Sequence, residues 1–155
     1  MNGLSLHSNL IPYGGTFLIF SDYCKPSIRL AAIMKIQVVY VMSHDSIGLG
    51  EDGPTHQPIE QLAGLRSIPN LNVFRPADTT ETLECWQIAL ESLNTPSVIA
   101  LTRQKLNQVR KEFFQENKCS KGAYEISRNN EKIDLTIFAT AVSYTHLTLP
   151  TTPYV

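Results

Sequence analysis

Residues 37–58 read QVVYVMSHDSIGLGEDGPTHQP, and this stretch decides how the chain folds. Its first part, residues 37–42, contains the run VVYV, which is rich in β-branched residues and shows no polar alternation. Strands of this kind are typical of parallel sheets that are covered on both faces. Ligands of such sheets bind beyond the carboxyl ends of the strands. The polar segment that follows is therefore predicted to form the functional site.

The polar segment 44–58 combines residue types that bind ligands. Its three glycines permit positive φ angles and close approach of a ligand to the backbone. Its two histidines, His44 and His56, can hydrogen-bond or transfer protons near neutral pH. Three acidic residues accompany them: Asp45, Glu51 and Asp52. A metal site is an alternative, but histidine ligands usually lie closer together in sequence and no cysteine is near. From the residues alone, a functional loop and a solvated turn both remain open.

Strand and helix patterns continue on both sides of this stretch. Upstream, we predict a strand over residues 10–17 and a helical segment over 17–34, in which Pro26 kinks the helix or starts a second one. Downstream, we predict a short helix over 56–66 and strands over 71–74 and 97–102. Between these strands, Asp78 and Glu81 form the capping box of a further helix. The alternation predicts an α/β fold class, with a mostly parallel sheet flanked by helices.

The composition excludes several classes of partner. The chain has 155 residues, a net charge of −1 and three cysteines. It therefore has no basic field for nucleic acid and no polybasic membrane patch, and no apolar stretch approaches transmembrane length. Three cysteines without a C-x-x-C pair are typical of reduced thiols. We expect a cytoplasmic protein with no nucleic-acid or membrane partner.

The remainder of the chain changes character. Residues 107–132 are polar and of mixed charge, which indicates a linker. The apolar alternation over 133–140 predicts a strand, and residues 133–141 are interpreted as the start of a following C-terminal domain. The last segment, 142–155, reads VSYTHLTLPTTPYV and resembles a translated adapter sequence, so we interpret it as a non-native tail. A genuine disordered tail is the alternative.

A resemblance to a known family sharpens these interpretations. The string HDSIGLGEDGPTHQP at residues 44–58 resembles the signature of transketolases and of the related dihydroxyacetone synthases. The segments YGGTFL at 13–18, FRPAD at 74–78 and LTRQ at 101–104 also fall at the spacings of that family. The resemblance covers residues 1 to about 140. It implies a thiamine diphosphate-binding fold, with residues 1–106 as a pyrimidine-binding domain that is truncated at its N-terminus.

The resemblance also implies which residues form the cofactor site. Phe17, Phe20 and Tyr23 match the aromatic wall around the aminopyrimidine of thiamine diphosphate, because a flat heteroaromatic ring stacks well on aromatic side chains. Their spacing alone would favour ordinary core packing. The divalent metal, Mg²⁺ or Ca²⁺, is expected in an N-terminal domain absent from this chain, so no metal ligand is assigned here.

Four residues match substrate-binding positions of the family. His56 matches a catalytic histidine near the substrate carbonyl, which assists proton transfer, and Asp52 matches a residue that accepts a hydrogen bond from a substrate hydroxyl. His44 and Arg103 match residues that hold the phosphate end, and arginine suits phosphate because its planar fork bonds two oxygens. The alternatives are local: a histidine at a helix start, an Asx turn at Asp52 and a surface ion pair at Arg103.

The implied activity is that of a larger parent enzyme. A transketolase transfers a two-carbon ketol unit between a ketose phosphate and an aldose phosphate, acts in the pentose phosphate pathway, and works as a homodimer. In this family a glutamate that binds the pyrimidine ring precedes the segment matching residues 1–3. We therefore expect the chain to be inactive alone. A fragment of a dihydroxyacetone synthase and a non-catalytic partner of a split enzyme are the alternatives.

Overall fold

A computed structural model describes residues 1–46, 49–50, 52–110, 116–128, 135–141 and 143. Four parallel strands form one sheet in the order β1-β2-β4-β3. The strands are β1 (Tyr13–Phe17), β2 (Val39–Ser43), β3 (Asn72–Phe74) and β4 (Ser97–Ala100). The helices are α1 (Asn2–His7), α2 (Ser21–Met34), α3 (Gln61–Arg66) and α4 (Thr79–Glu91). Single 3₁₀ turns form at Leu18–Phe20, Pro54–His56 and Lys118–Lys121. The predicted fold class, a mostly parallel sheet flanked by helices, is confirmed.

The central strand β2 contributes to a core on each face of the sheet. Because side chains of a strand alternate between faces, Val38, Tyr40 and Met42 pack in one cluster, together with Ile28 of α2 and Leu65 of α3. The other face holds a smaller cluster, which consists of Val39, Ile99 and Ala89 of α4 with partly buried neighbours such as Trp86. Burial on both faces explains why the sequence of β2 is apolar without alternation.

The strand register brings the carboxyl ends of all four strands to one edge. Phe17 is paired with Ser43 and Met42 with Ala100, while Phe74 is paired with Ile99. The residues that follow each strand therefore start from nearly the same level of the sheet. This edge is where the sequence analysis places the functional segment 44–58.

Element boundaries differ from the predictions where proline intervenes. The helix predicted over 56–66 is interrupted: the 3₁₀ turn ends at His56, and α3 begins only at Gln61. The reason is Pro58, which pushes the residue before it out of the helical region, and Gln57 is accordingly extended at φ −94° and ψ 106°. Pro26, in contrast, lies inside a continuous α2, so no second helix starts there.

The predicted linker 107–132 packs against α4 in its described parts. Asp78, the N-cap of α4, accepts a hydrogen bond from Glu81 N through Oδ1 at 2.8 Å. Its Oδ2 accepts from Val109 N at 3.1 Å and from Arg110 N at 2.9 Å. The predicted N-cap bond at Asp78 therefore forms, whereas the Glu81 carboxylate accepts from Ala77 N at 2.7 Å, one residue before the cap. The Asp78 carboxylate also holds the segment after β4.

A buried ion pair forms a second contact between this segment and α4. Arg110 Nη2 donates to Glu84 Oε1 at 2.5 Å and Nη1 donates to Oε2 at 2.8 Å, and both residues are buried. Cys119 N donates to Glu84 Oε2 at 3.0 Å. The hydrogen bonds from Arg110 are the main reason that the pKa of Glu84 falls from 4.5 to about 2. Polar composition indicated a linker here, whereas the charge of Arg110 is paired with Glu84 of α4.

The regions beyond the sheet only partly fall on described residues. Residues 135–140 form no strand, and the first two residues of the strand predicted over 133–140 lie outside the described residues. The segment 142–155 also lies outside them, apart from Ser143. The division into a domain at 1–106, a linker and a following domain stays a prediction.

Candidate cofactor and substrate site

The aromatic residues Phe17, Phe20 and Tyr23 form a continuous wall at the carboxyl edge of β1. Phe17 ends the strand, the 3₁₀ turn carries Phe20, and the first turn of α2 carries Tyr23. The rings of Phe17 and Phe20 lie 6.0 Å apart at 14°, and those of Phe20 and Tyr23 lie 6.0 Å apart at 44°. Phe17 and Phe20 are half-buried, whereas Tyr23 is 84% exposed. The wall is therefore partly exposed, most of all at Tyr23, and its three residues belong to neither core cluster.

His44 stacks on this wall because of the strand register. It follows Ser43, which pairs with Phe17, and its backbone takes the left-handed region at φ 61°. The imidazole lies parallel to Phe17, with centroids 3.7 Å apart at 25°. Its Nδ1 is 2.9 Å from Ser43 Oγ, and its Nε2 is 3.8 Å from Asp52 Oδ2. His44 and Asp52, both predicted substrate ligands, thus lie side by side.

His56 approaches the same wall from the 3₁₀ turn after Gly53. Its ring is edge-on to Phe20, with centroids 5.3 Å apart at 79°, and to Phe17 at 5.8 Å and 65°. Its Nδ1 is 2.9 Å from Thr55 Oγ1. Thr55 therefore orients the imidazole, and two histidines face the wall from opposite ends of the segment 44–58.

Arg103 contacts the same segment from the end of β4. Its Nη1 donates to the carbonyl of Leu49 at 2.5 Å. Gly50 has φ +89°, and a Cβ at that position would lie 3.1 Å from Arg103 Nη1. The backbone angle therefore favours glycine at this position, and a larger side chain would also crowd the guanidinium. The structure brings Arg103 to the loop of His44 and Asp52, as expected for neighbouring strand ends.

Two polar pairs at this edge were not singled out by the sequence analysis. Asp45, with no exposed side-chain area, binds Arg75, whose Nε donates to Oδ2 at 2.7 Å. Gln61 is buried and joins Asp22 of α2 to the loop before α3: its Nε2 donates to Asp22 Oδ2 at 3.0 Å. The sequence signal that could have indicated the first pair is that two opposite charges, Asp45 and Arg75, each follow a strand of the same sheet.

The arrangement fits a flat heteroaromatic ligand better than a metal ion. Open aromatic faces bind a ring by stacking, and two imidazoles beside them supply hydrogen bonds and proton transfer. Within the part of the chain that the structure describes, no group of three His, Cys, Asp or Glu side chains is placed to hold a metal. The aromatic wall thus fits the aminopyrimidine that the resemblance implies.

Fold and site together define an α/β domain that presents an aromatic, histidine-bearing surface at the carboxyl edge of a parallel sheet. The family model "Transketolase, pyrimidine binding domain" matches residues 1–108. The chain belongs to this family, which confirms the resemblance drawn from residues 13–104. The family implies thiamine diphosphate as its cofactor.

Similar proteins extend the comparison beyond the domain. A transketolase of Sinorhizobium medicae is 59% identical over 140 residues, which are 90% of this chain and 20% of that protein. A Pichia stipitis transketolase in complex with sedoheptulose-7-phosphate is 46% identical with a TM-score of 0.78, over 84% of this chain and 19% of that one. A "split gene transketolase, inactive beta4 tetramer" is 32% identical with a TM-score of 0.60, over 70% of this chain and 34% of that one.

These comparisons also set the scale of the chain. It spans about a fifth of the length of the curated relatives that it matches. Among the described residues, no helix combines the length and apolarity needed to cross a membrane.

Proposed function

We propose that this chain supplies the aminopyrimidine pocket and part of the sugar-phosphate site of a cytoplasmic transketolase. The observation that carries the proposal is the convergence of the aromatic wall, both histidines and Asp52 at one sheet edge. Thiamine diphosphate supplies the carbanion chemistry when it is bound. The whole enzyme transfers a two-carbon ketol unit between a ketose phosphate and an aldose phosphate, as in the pentose phosphate pathway.

The proposed roles follow from where each side chain lies. Phe20 and Tyr23 stack on the aminopyrimidine, and Phe17 supports both this ring surface and His44. His56 assists proton transfer at the substrate carbonyl and bonds the donor, with Thr55 fixing the imidazole. Asp52 accepts a hydrogen bond from a substrate hydroxyl.

The phosphate end of the sugar is assigned to two side chains at neighbouring strand ends. His44 and Arg103 both border the segment that carries Asp52, so a phosphorylated donor can bridge them. Arginine favours the planar, two-oxygen contact that phosphate offers. We place the Mg²⁺ or Ca²⁺ that accompanies the diphosphate in a different domain of the enzyme, and the second wall of the cleft in a partner subunit of a homodimer.

A chimeric enzyme tests the proposal. Residues 1–140 of this chain replace the matching segment of the Sinorhizobium medicae transketolase, which is 59% identical. We expect the chimera to transfer ketol units, and its His56→Ala variant to lose most of that activity. Removal of one general acid–base group costs typically 10²- to 10⁴-fold in rate. A folded, dimeric chimera without activity would refute the proposal.

The 155-residue chain alone is expected to bind thiamine diphosphate weakly and to show no turnover. Stacking is worth about 0.5–1.5 kcal/mol per aromatic pair beyond area burial, whereas micromolar affinity needs about −8 kcal/mol. Calorimetric titration with thiamine diphosphate and Mg²⁺ measures this. Saturable micromolar binding would show that the wall contributes more than stacking.

A second candidate function is that of a non-catalytic subunit in a split enzyme. The similarity to a split-gene chain that forms an inactive tetramer favours it. Adding a separately expressed chain that carries the other domains of a transketolase distinguishes the two cases. Activity that appears on mixing supports the split arrangement, whereas activity only in the fused chimera supports a single-chain parent.

A further inference from the structure

We propose that Arg75 is a positioning residue that holds the His44 imidazole over Phe17 and acts on the sugar phosphate only through His44. The inference rests on the proposed function where it concerns the substrate. Its structural part, the control of the His44 ring by Arg75, stands on the contacts of the described residues alone.

The backbone of His44 needs an external support. At φ 61° it lies in the left-handed region, which non-glycine residues adopt uncommonly. Such conformations persist only when the surrounding structure over-determines them. The stacking on Phe17 depends on this conformation, because the peptide that leaves His44 sets the direction of its side chain.

The support comes from the next residue, Asp45. Arg75 Nε donates to Asp45 Oδ2 at 2.7 Å, and Nη2 is 3.5 Å from the main-chain carbonyl of the same residue. One guanidinium thus holds both the side chain and the backbone of Asp45. The Asp45 side chain has no exposed area, and Arg75 has 16%, so the pair is little screened by solvent.

Arg75 is itself fixed at three points. It follows Phe74, which is paired with Ile99 in the sheet, and it precedes the buried Pro76. Its Nη1 donates to Thr140 Oγ1 at 3.1 Å. A planar guanidinium with three different acceptors sits in a defined orientation, which a lysine cannot reproduce. The position of His44 therefore depends, through Asp45 and Arg75, on the end of β3.

The first test reads the His44 ring directly in the full 155-residue chain. The face of Phe17 at 3.7 Å shifts the ring protons of His44 upfield in the NMR spectrum. We expect Arg75→Lys and Arg75→Met to move these resonances toward free-imidazole values, while the methyl resonances of Ile99 keep their dispersion. Arg66→Met, which removes an exposed arginine of α3, is the matched control. Unchanged His44 resonances in a folded Arg75 variant overturn the proposal.

The second test is a double-mutant cycle in the chimeric enzyme. We expect Arg75→Lys to lower kcat/KM for a phosphorylated ketose donor on the order of 10- to 100-fold, as a small misplacement of a binding group does. In a His44→Ala background the same change should have little further effect, because coupled residues are not additive. Full additivity, with the thiamine diphosphate Kd rising equally, would mean a merely structural role and overturn the proposal.

The two tests separate the inference from the proposed function. If the chimera with the unchanged segment transfers no ketol units, the proposed function fails, and the NMR comparison still decides whether Arg75 positions His44. If the chimera is active but the NMR shifts and the cycle show no coupling, the inference fails and the proposed function stands.

Discussion

Glu84→Gln isolates the charge of the buried pair that joins α4 to the segment after β4. The substitution keeps the shape of the side chain but removes the carboxylate that Arg110 contacts through two nitrogens. Trp86, the single tryptophan, lies two residues further along the same helix and reports unfolding by fluorescence. The variant and the unchanged chain are compared by urea unfolding between pH 7 and pH 3.

The pKa of Glu84 sets the expected magnitude. It falls from 4.5 to about 2 in the folded chain, and each pKa unit between folded and unfolded states is worth about 1.4 kcal/mol. Because the folded pKa is lowered, this stability is present above the unfolded value and is lost as pH falls toward 2. We expect the unfolding free energy of the unchanged chain to exceed that of the Glu84→Gln variant by about 3 kcal/mol at pH 7 and by about 1.5 kcal/mol at pH 3.

A control on the same helix isolates the pair from general acid effects. Glu91→Gln removes an exposed carboxylate of α4 and should change the unfolding free energy by less than about 0.5 kcal/mol at any of these pH values. A Glu84→Gln difference that stays constant between pH 7 and pH 3, or that never exceeds about 1 kcal/mol, would refute the assignment of a stabilising buried charge pair.

Four further outcomes are expected. Asp78→Ala should lower the unfolding free energy by about 3 kcal/mol in urea titrations, because it removes a helix cap and leaves buried amides unpaired; a loss below 1 kcal/mol would contradict this. Ile99→Ala should lower the melting temperature through a cavity worth about 3 kcal/mol, whereas Leu93→Ala, at a side chain 67% exposed, should leave it nearly unchanged. In the chimera, Asp52→Ala should lower kcat/KM for donors by an amount that corresponds to about 1–3 kcal/mol of transition-state stabilisation, while cofactor affinity is kept. Arg103→Ala should lower kcat/KM selectively for phosphorylated donors; an equal loss with non-phosphorylated donors would argue against a phosphate contact.

The core of the sheet and its helix cap were predictable because their signals are local. An unbroken apolar run predicts the strand β2, and Asp78 and Glu81 have the fixed spacing of a capping box. The interruption of the predicted helix 56–66 was also predictable, because Pro58 disfavours a helical conformation at the residue before it. The resemblance carried the rest of the site, since spacing alone left a solvated turn as an equal alternative.

The ion pairs were not predictable from local pattern. Asp45 and Arg75 are 30 positions apart, and Glu84 and Arg110 are 26 apart. Which charges meet depends on strand order and register, which follow only from the whole fold. Polar composition indicated a linker over residues 107–132, and it misled at Arg110 because composition does not distinguish a buried arginine paired with a glutamate from an exposed one.

The double use of Asp78 places a limit on chain length. One oxygen begins α4, and the other holds the amides of Val109 and Arg110, so the connection that leaves β4 at Ala100 must arrive with the right number of residues. Surface connections generally tolerate insertions and deletions. This one is tied at both ends, and a single added residue would draw the two amides off their acceptor and shift Arg110 out of register with Glu84. Variation in length among related chains is therefore expected in other loops, while the spacing from Ala100 to Arg110 stays constant.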